Sequence, residues 1–171
     1  MVTRLALPAS VASRIIDVGI SDLKVTNDSA ATLVTYSLGS CIAVIVHEAT
    51  RNVGGMIHFQ LPLSTTNPEK AALTPAMFAD TGLPLLFEGM YAFGCRKKDI
   101  VVKVTGGSNP RNSEGFFDIG RRNYTVLRKI FLKNSIVIAA EDVGGALART
   151  ARLHVGSGRV TITAAGQTTE L

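Results

Sequence analysis

The sequence predicts a single α/β domain of the α+β kind, a mixed sheet structure with a few helices. Short β-branched runs bounded by turn residues recur along the chain, and two longer segments repeat apolar residues at helical spacing. The strand patterns do not alternate regularly with the helical ones, which argues against a doubly wound parallel sheet. With 171 residues, 46% of them hydrophobic and 18% charged, the chain can bury a core without disulfide staples and is too apolar to be disordered. No apolar run approaches the roughly 18 residues of a membrane span. The first residues hold neither a continuous apolar stretch nor a cleavage site. A soluble, cytoplasmic protein with no direct membrane insertion is expected.

Taken in order, residues 1–16 read as a loosely held N-terminal extension and 17–171 as the folded domain. Ile20 to Thr26 and Ala31 to Ser37 read as strands. Cys41 to Val46 and Met56 to Leu61 read as a hairpin turning within His47 to Asn52, and Leu63 to Lys70 as a polar loop. A helix opens at Thr81-Gly82-Leu83-Pro84, with Asp80 or Thr81 as cap. It carries Leu86, Met90 and Phe93 at i, i+4, i+7 and ends at Gly94. Asp99 to Thr105 is a β-branched strand closed by Gly106-Gly107-Ser108-Asn109-Pro110, glycines that suit a turn with positive φ. Ile119 to Asn134 is a helix with Val126, Leu127, Ile130 and Phe131 on one stripe. Ile136 to Ala140 reads as a buried strand and Asp142 to Gly145 as a turn. Leu147 to Val155 and Arg159 to Ala164 form a terminal hairpin.

The chemistry concentrates in Thr35-Tyr36-Ser37-Leu38-Gly39-Ser40-Cys41 and in Gly54-Gly55-Met56-Ile57-His58-Phe59. A turn centred between Ala49 and Thr50 makes cross-strand partners sum to 99, which sets Cys41 opposite His58 on one face. A thiol is mostly protonated at neutral pH, so a nucleophilic cysteine needs a base beside it, and that base needs an orienting partner. His58 can be the base, the Thr35 hydroxyl can orient it, and the backbone N–H groups of Gly39, Ser40 and Cys41 can face an oxyanion. A buried structural cysteine remains the competing reading. Cys95 has no histidine near it in sequence and reads as structural, although three following basic residues would lower its pKa. A Cys41–Cys95 bridge is disfavoured in a reducing compartment. His47 is expected in an exposed turn, and His154 on the surface or in packing. No metal-ligand spacing occurs, and no cofactor or metal is expected.

The formal charge is +5. Basic residues gather at Arg96-Lys97-Lys98 and at Arg121, Arg122, Arg128, Lys129 and Lys133. They read either as solvated faces or as a docking face for an acidic protein. Tryptophan is absent and no RNA-recognition or zinc-finger pattern occurs, so nucleic acid is not expected as a partner.

Several segments together resemble the CheD family of chemoreceptor glutamine deamidases. They are Leu38-Gly39-Ser40-Cys41-Ile42-Ala43-Val44, Gly54 to Pro62, Ala79-Asp80-Thr81, Lys103-Val104-Thr105-Gly106-Gly107, Ile119-Gly120-Arg121-Arg122-Asn123 and Asp142-Val143-Gly144-Gly145. The resemblance spans roughly residues 16 to 163. It implies a triad of Cys41 as nucleophile, His58 as general base and Thr35 as its orienting residue. It implies conversion of receptor glutamines to glutamate, with methyl-accepting chemotaxis receptors as substrates and a CheC-type phosphatase as a further partner. The implied fold is a layered sandwich of mixed β-sheets with flanking helices, similar to the catalytic domains of deamidating toxins. Ser108 and Asn109 stand where family members often carry small apolar residues, and no role is assigned to residues 1–16. A non-catalytic adaptor on the same surface, or a cysteine hydrolase of other specificity, is the alternative reading.

Overall fold

The run Ile42-Ala43-Val44-Ile45-Val46 has no polar face to show to water, so a strand built from it must be covered on both sides. The structure, a computed structural model that describes residues 13–109 and 118–171, places it at the centre of three layers. The first layer is a five-stranded sheet of β1 (Arg14–Asp17), β3 (Ala31–Leu38), β8 (Arg149–His154), β9 (Arg159–Ala164) and β10 (Gln167–Glu170), in that order. The second is a five-stranded sheet of β2 (Asp22–Thr26), β5 (Val53–Phe59), β4 (Ile42–Glu48), β6 (Val101–Gly106) and β7 (Ala140–Val143). Both sheets are mixed, because β1–β3 and β6–β7 are parallel and the remaining pairs antiparallel. The third layer holds helices α2 (Ala79–Ala92) and α3 (Ile119–Lys133). A layered sandwich of mixed sheets with flanking helices is therefore the observed architecture.

Strand alternation divides the core in two. Ala43, Ile45 and Met56 face the first sheet and pack with Leu33, Leu38, Ala151, Leu153 and Ile162. Ile42, Val44, Val46, Ile57 and Phe59 face the helices and pack with Leu83, Leu86, Met90, Leu127 and Phe131. Each of these side chains larger than alanine, fully buried, contributes about 1.5–3 kcal/mol of transfer free energy.

The expected N-terminal extension overlaps the sheet, since Arg14–Asp17 pairs in parallel with Ala31 to Val34; residues 1–12 of it lie outside the described residues, as does Pro110. The hairpin register differs by two from the expected one. Ile42 pairs with Phe59 and Ala43 with His58, so partners sum to 101 and the turn is Ala49 to Asn52. Two polar residues cause the shift by extending β4. His47, expected in an exposed turn, is buried in the strand, with its Nε2 2.8 Å from the Val155 carbonyl. The Glu48 carboxylate accepts the Thr50 and Arg51 N–H groups at 3.1 and 3.0 Å and organises the turn.

The polar loop from Leu63 contains a 3₁₀ turn, Ser64–Thr66, and helix α1 (Pro68–Leu73), capped by the Asn67 side chain on Lys70 N–H with Pro68 in its first turn. Helix α2 starts at Ala79, before the expected caps. Thr81 Oγ1 instead donates to Pro75 O at 2.6 Å, and Asp80 accepts from Ser64 N–H and Oγ. Its buried stripe is Leu83, Leu86, Phe87 and Met90, while Phe93 is 40% exposed at the C-cap. Of Ile136 to Ala140, read as a buried strand, only Ala140 belongs to β7, which runs on through the Asp142 and Val143 read as a turn, and Val137 is 81% exposed. The sheet's last strand, β10, was not foreseen; it follows a tight turn at Ala165 and Gly166, both with positive φ.

Candidate active site

β3 and β5 lie in different sheets, and Thr35 and His58 meet across the gap between them. Thr35 Oγ1 stands 2.8 Å from His58 Nδ1 and 2.8 Å from the Val18 carbonyl. A threonine hydroxyl has one proton, and only donation satisfies a carbonyl. The proton therefore goes to Val18 O, and Oγ1 accepts from His58 Nδ1–H. That fixes the tautomer, leaving the lone pair on Nε2, which is buried without a hydrogen-bond partner. Burial pushes the His58 pKa down to about 4, so the ring is neutral at physiological pH.

Cys41 lies in a bend entering β4. Chain alternation puts it on the face of Ala43, and it packs against the same inner cluster. Ala43 is directly opposite His58, so Cys41 is diagonal to the imidazole on the same face, where side chains about 7–8 Å apart at Cα remain in reach of a long ring. The expected direct pairing is thus replaced by a diagonal one, and because the shift is two residues the face is kept. Burial raises the Cys41 pKa, and its own backbone N–H opposes that rise without cancelling it. The pair therefore rests as thiol and neutral imidazole.

The bend is held by groups far along the chain. A register shift in β3 between Thr35 and Leu38, with Ser37 at φ 56°, steers the chain into it. Ser108 N–H donates to Gly39 O at 2.8 Å and Gly107 N–H to Cys41 O at 2.7 Å. Gly106 and Gly107 have φ of 108° and 65°, as the predicted turn requires, and a Cβ on Gly106 would lie 2.4 Å from Cys41 O. Gly39 is open, with no atom within 4 Å of a Cβ placed there. Asn123, from the first turns of α3, is fully buried and donates its Nδ2 to Ser40 O at 3.0 Å and to Gln60 O at 2.8 Å. Asn123, Ser108 and Val18 were not singled out as site residues. A buried polar residue on the apolar side of an amphipathic helix was the available signal for Asn123. Thr105 is opposite Ala43 on β6, and its Oγ1 shares the row of His58 across the sheet. Among the described residues the buried side-chain polar atoms without a partner are His58 Nε2, Thr105 Oγ1, Ser108 Oγ and Asn123 Oδ1, all in this region.

Other sequence candidates lie elsewhere. Cys95 is 5% exposed in the helix-side core. Its pKa is raised, by burial first and then by Glu48, against the expected lowering; Arg51 opposes weakly. His154 Nδ1 lies 3.1 Å from Thr32 Oγ1. Part of the basic set is engaged internally. Arg96 pairs with Asp99 at 2.7 Å, Lys97 donates to Asn134 O, and Arg128 meets Glu141 at 3.7 Å and the Tyr124 ring. Among the described residues no cluster of three His, Cys, Asp or Glu side chains could hold a metal ion. No helix among them is long and apolar enough to cross a membrane.

A family model for CheD chemotactic sensory transduction matches residues 60–164. A probable chemoreceptor glutamine deamidase CheD 2 from Anaeromyxobacter dehalogenans is 49% identical over 157 residues, covering 92% of this chain and 99% of its own. The chain belongs to the CheD family. Further CheD relatives agree in extent. The CheD 1 protein of Syntrophus aciditrophicus is 46% identical over 149 residues (87% of this chain, 93% of that one). That of Solibacter usitatus is 41% identical over 154 residues (90% and 91%). Both are also named probable chemoreceptor glutamine deamidases. In CheD terms the matched span begins just after β5 and contains the Gly106-Gly107 turn and Asn123, while the matches to relatives reach over most of the chain.

Proposed function

We propose that this CheD protein is a glutamine deamidase that converts particular glutamine side chains of methyl-accepting chemotaxis receptors to glutamate, through a thioester on Cys41. The observation that carries the reading is the bare Nε2 of a neutral His58, tied through Nδ1 to Thr35 and set on the face of Cys41. The names of the relatives support the substrate class.

In this mechanism the Cys41 sulfur attacks the carboxamide carbon as its proton passes to His58 Nε2. The resulting imidazolium protonates the nitrogen, the C–N bond breaks and ammonia leaves, giving a thioester and neutral His58. Water then attacks the thioester carbon while His58 takes its proton. The C–S bond breaks with its electron pair on sulfur, the proton returns to the thiol, and the product is a glutamate carboxyl. Thr35 contacts no reacting atom; it holds the tautomer on which both proton transfers depend.

Mass spectrometry of a receptor cytoplasmic fragment, incubated with wild-type protein or with Cys41→Ala, tests the reading. Amide-to-acid shifts at discrete glutamines with wild type alone are expected. Binding without turnover would move the assignment to an adaptor, and backbone cleavage to a peptidase. A CheC-type phosphatase, implied by the family resemblance, is proposed as a second partner; no measurable complex in titration calorimetry would remove it.

Two consequences follow from the histidine geometry. Thr35→Val keeps the shape but leaves His58 Nδ1–H without its acceptor. It is expected to lower kcat about tenfold or more, a share of the 10²–10⁴ a positioned base contributes. A wild-type rate would exclude Thr35 from the site. His58 is neutral above its depressed pKa, so the base form persists at mildly acidic pH. The acid limb of kcat/KM is expected near pH 4 rather than near the ordinary histidine value, and a limb near 6.5 would show that another group or an exposed His58 is titrating.

A further inference from the structure

We infer that Asn123 is a positioning residue that presents the Cys41 N–H to the oxyanion formed when the Cys41 sulfur attacks a carbonyl carbon. The inference rests on the cysteine-nucleophile reading above.

Three successive carbonyls of the bend are tied down. Gly39 O accepts from Ser108 N–H, Ser40 O from Asn123 Nδ2, and Cys41 O from Gly107 N–H. In a planar trans peptide the N–H points opposite to the C=O. Tying Ser40 O to Asn123 therefore turns the next N–H, that of Cys41, away from α3 and toward the inner face. That is the side on which the Cys41 sulfur packs. A carbonyl under attack by that sulfur brings its oxygen within reach of that N–H, which is the geometric requirement of an oxyanion donor.

The middle tie is the only one of the three made by a side chain. The same amide also grips Gln60 O, two residues beyond His58, so one group sets both the nucleophile's bend and the base's strand. Both of its N–H donors are spent on these carbonyls, and Oδ1 is left buried and unpaired. The side chain's orientation thus serves the two carbonyls at the expense of its own acceptor. Neither Ser40 nor Gln60 needs this amide for ladder pairing, because both lie outside β4 and β5.

Two reagents separate this role from general support of the site. p-Nitrophenyl acetate acylates a cysteine through a tetrahedral oxyanion. The sulfur bonds to the ester carbon, then the C–O bond breaks and its electron pair leaves on p-nitrophenolate. Iodoacetamide alkylates the same sulfur by displacing iodide at a saturated carbon, with no oxyanion. Both rates are measured at Cys41 in a Cys95→Ala background, in variants that melt cooperatively. Asn123→Ala is expected to slow acylation about tenfold or more, with alkylation within about twofold of the parent. Asn123→Gln, which keeps the amide and stands in should alanine unfold the chain, is expected to recover part of the acylation rate. On the receptor fragment, Asn123→Ala should lower kcat with KM little changed. Equal falls in both chemical rates would make Asn123 merely structural, and no fall in acylation would also overturn the inference. The deamidase reading fails separately: a parent protein that acylates normally but leaves receptor glutamines intact refutes the substrate, not Asn123.

Discussion

Replacing Cys41 by alanine is expected to reduce deamidation to less than about a thousandth of the wild-type rate while the protein stays folded. Removal of a nucleophile abolishes the covalent route outright, and the remaining groups supply only binding and polarisation. The change is mild for the fold. Cys41 is half-buried at the margin of the inner cluster, and alanine deletes a single sulfur there. A shift in unfolding free energy below about 1 kcal/mol is expected. Cys95→Ala is the matched control, since that thiol is packed among helix-side core residues far along the chain from Cys41, and its rate should equal wild type. A folded Cys95→Ala protein without activity, or an active Cys41→Ala protein, would reverse the choice of nucleophile.

Gly106→Ala is expected to damage stability and turnover together. The added methyl would lie 2.4 Å from Cys41 O and 3.2 Å from Ile42 Cα, backbone atoms that cannot swing aside, at a φ of 108° that an alanine adopts only with strain. Relief requires β6 and the Cys41 bend to separate, which weakens the Gly107 N–H to Cys41 O bond and tilts the Cys41 side chain off its face. A loss of about 3 kcal/mol or more is expected from strain and overpacking combined, seen as a melting temperature lower by roughly 10 °C. Gly39→Ala is the contrasting case, because a Cβ there meets nothing within 4 Å and its φ lies outside the left-handed region. Equal melting temperatures for Gly106→Ala and wild type would show that the bend yields freely.

The strands and helices were legible where one signal dominated. The stripe of Leu127 and Phe131 and the positive-φ demand at Gly106-Gly107 appear as read, and the strand read from Asp99 to Thr105 is present as Val101–Gly106, with Asp99 closing a 3₁₀ turn before it. Most of the misreadings occur where a polar side chain finds a partner that periodicity does not show. His47 and Glu48 looked like turn residues, yet one bonds Val155 O and the other caps the turn, and together they moved the hairpin register by two. Asp80 and Thr81 looked like helix caps, yet Ser64 and Pro75 claim them. Phe93 fitted the helical stripe, yet the helix ends before it, so it faces solvent.

The candidate triad shows the same division. Spacing on two neighbouring strand patterns was enough to put Cys41 and His58 on one face, because alternation keeps residues of one parity on one face whatever the even register shift. Thr35 belongs to the other sheet, and its contact with His58 depends on how the two sheets stack, which local periodicity does not encode. The tautomer of His58 follows from Val18 O, a backbone atom that carries no sequence signature. The setting of the Cys41 bend depends on Gly107, Ser108 and Asn123, between 66 and 82 residues away along the chain, brought together only when β6 pairs with β4 and α3 packs over its end. Residue identity specifies which groups can react; long-range pairing, through backbone carbonyls and peptide planes, aims them.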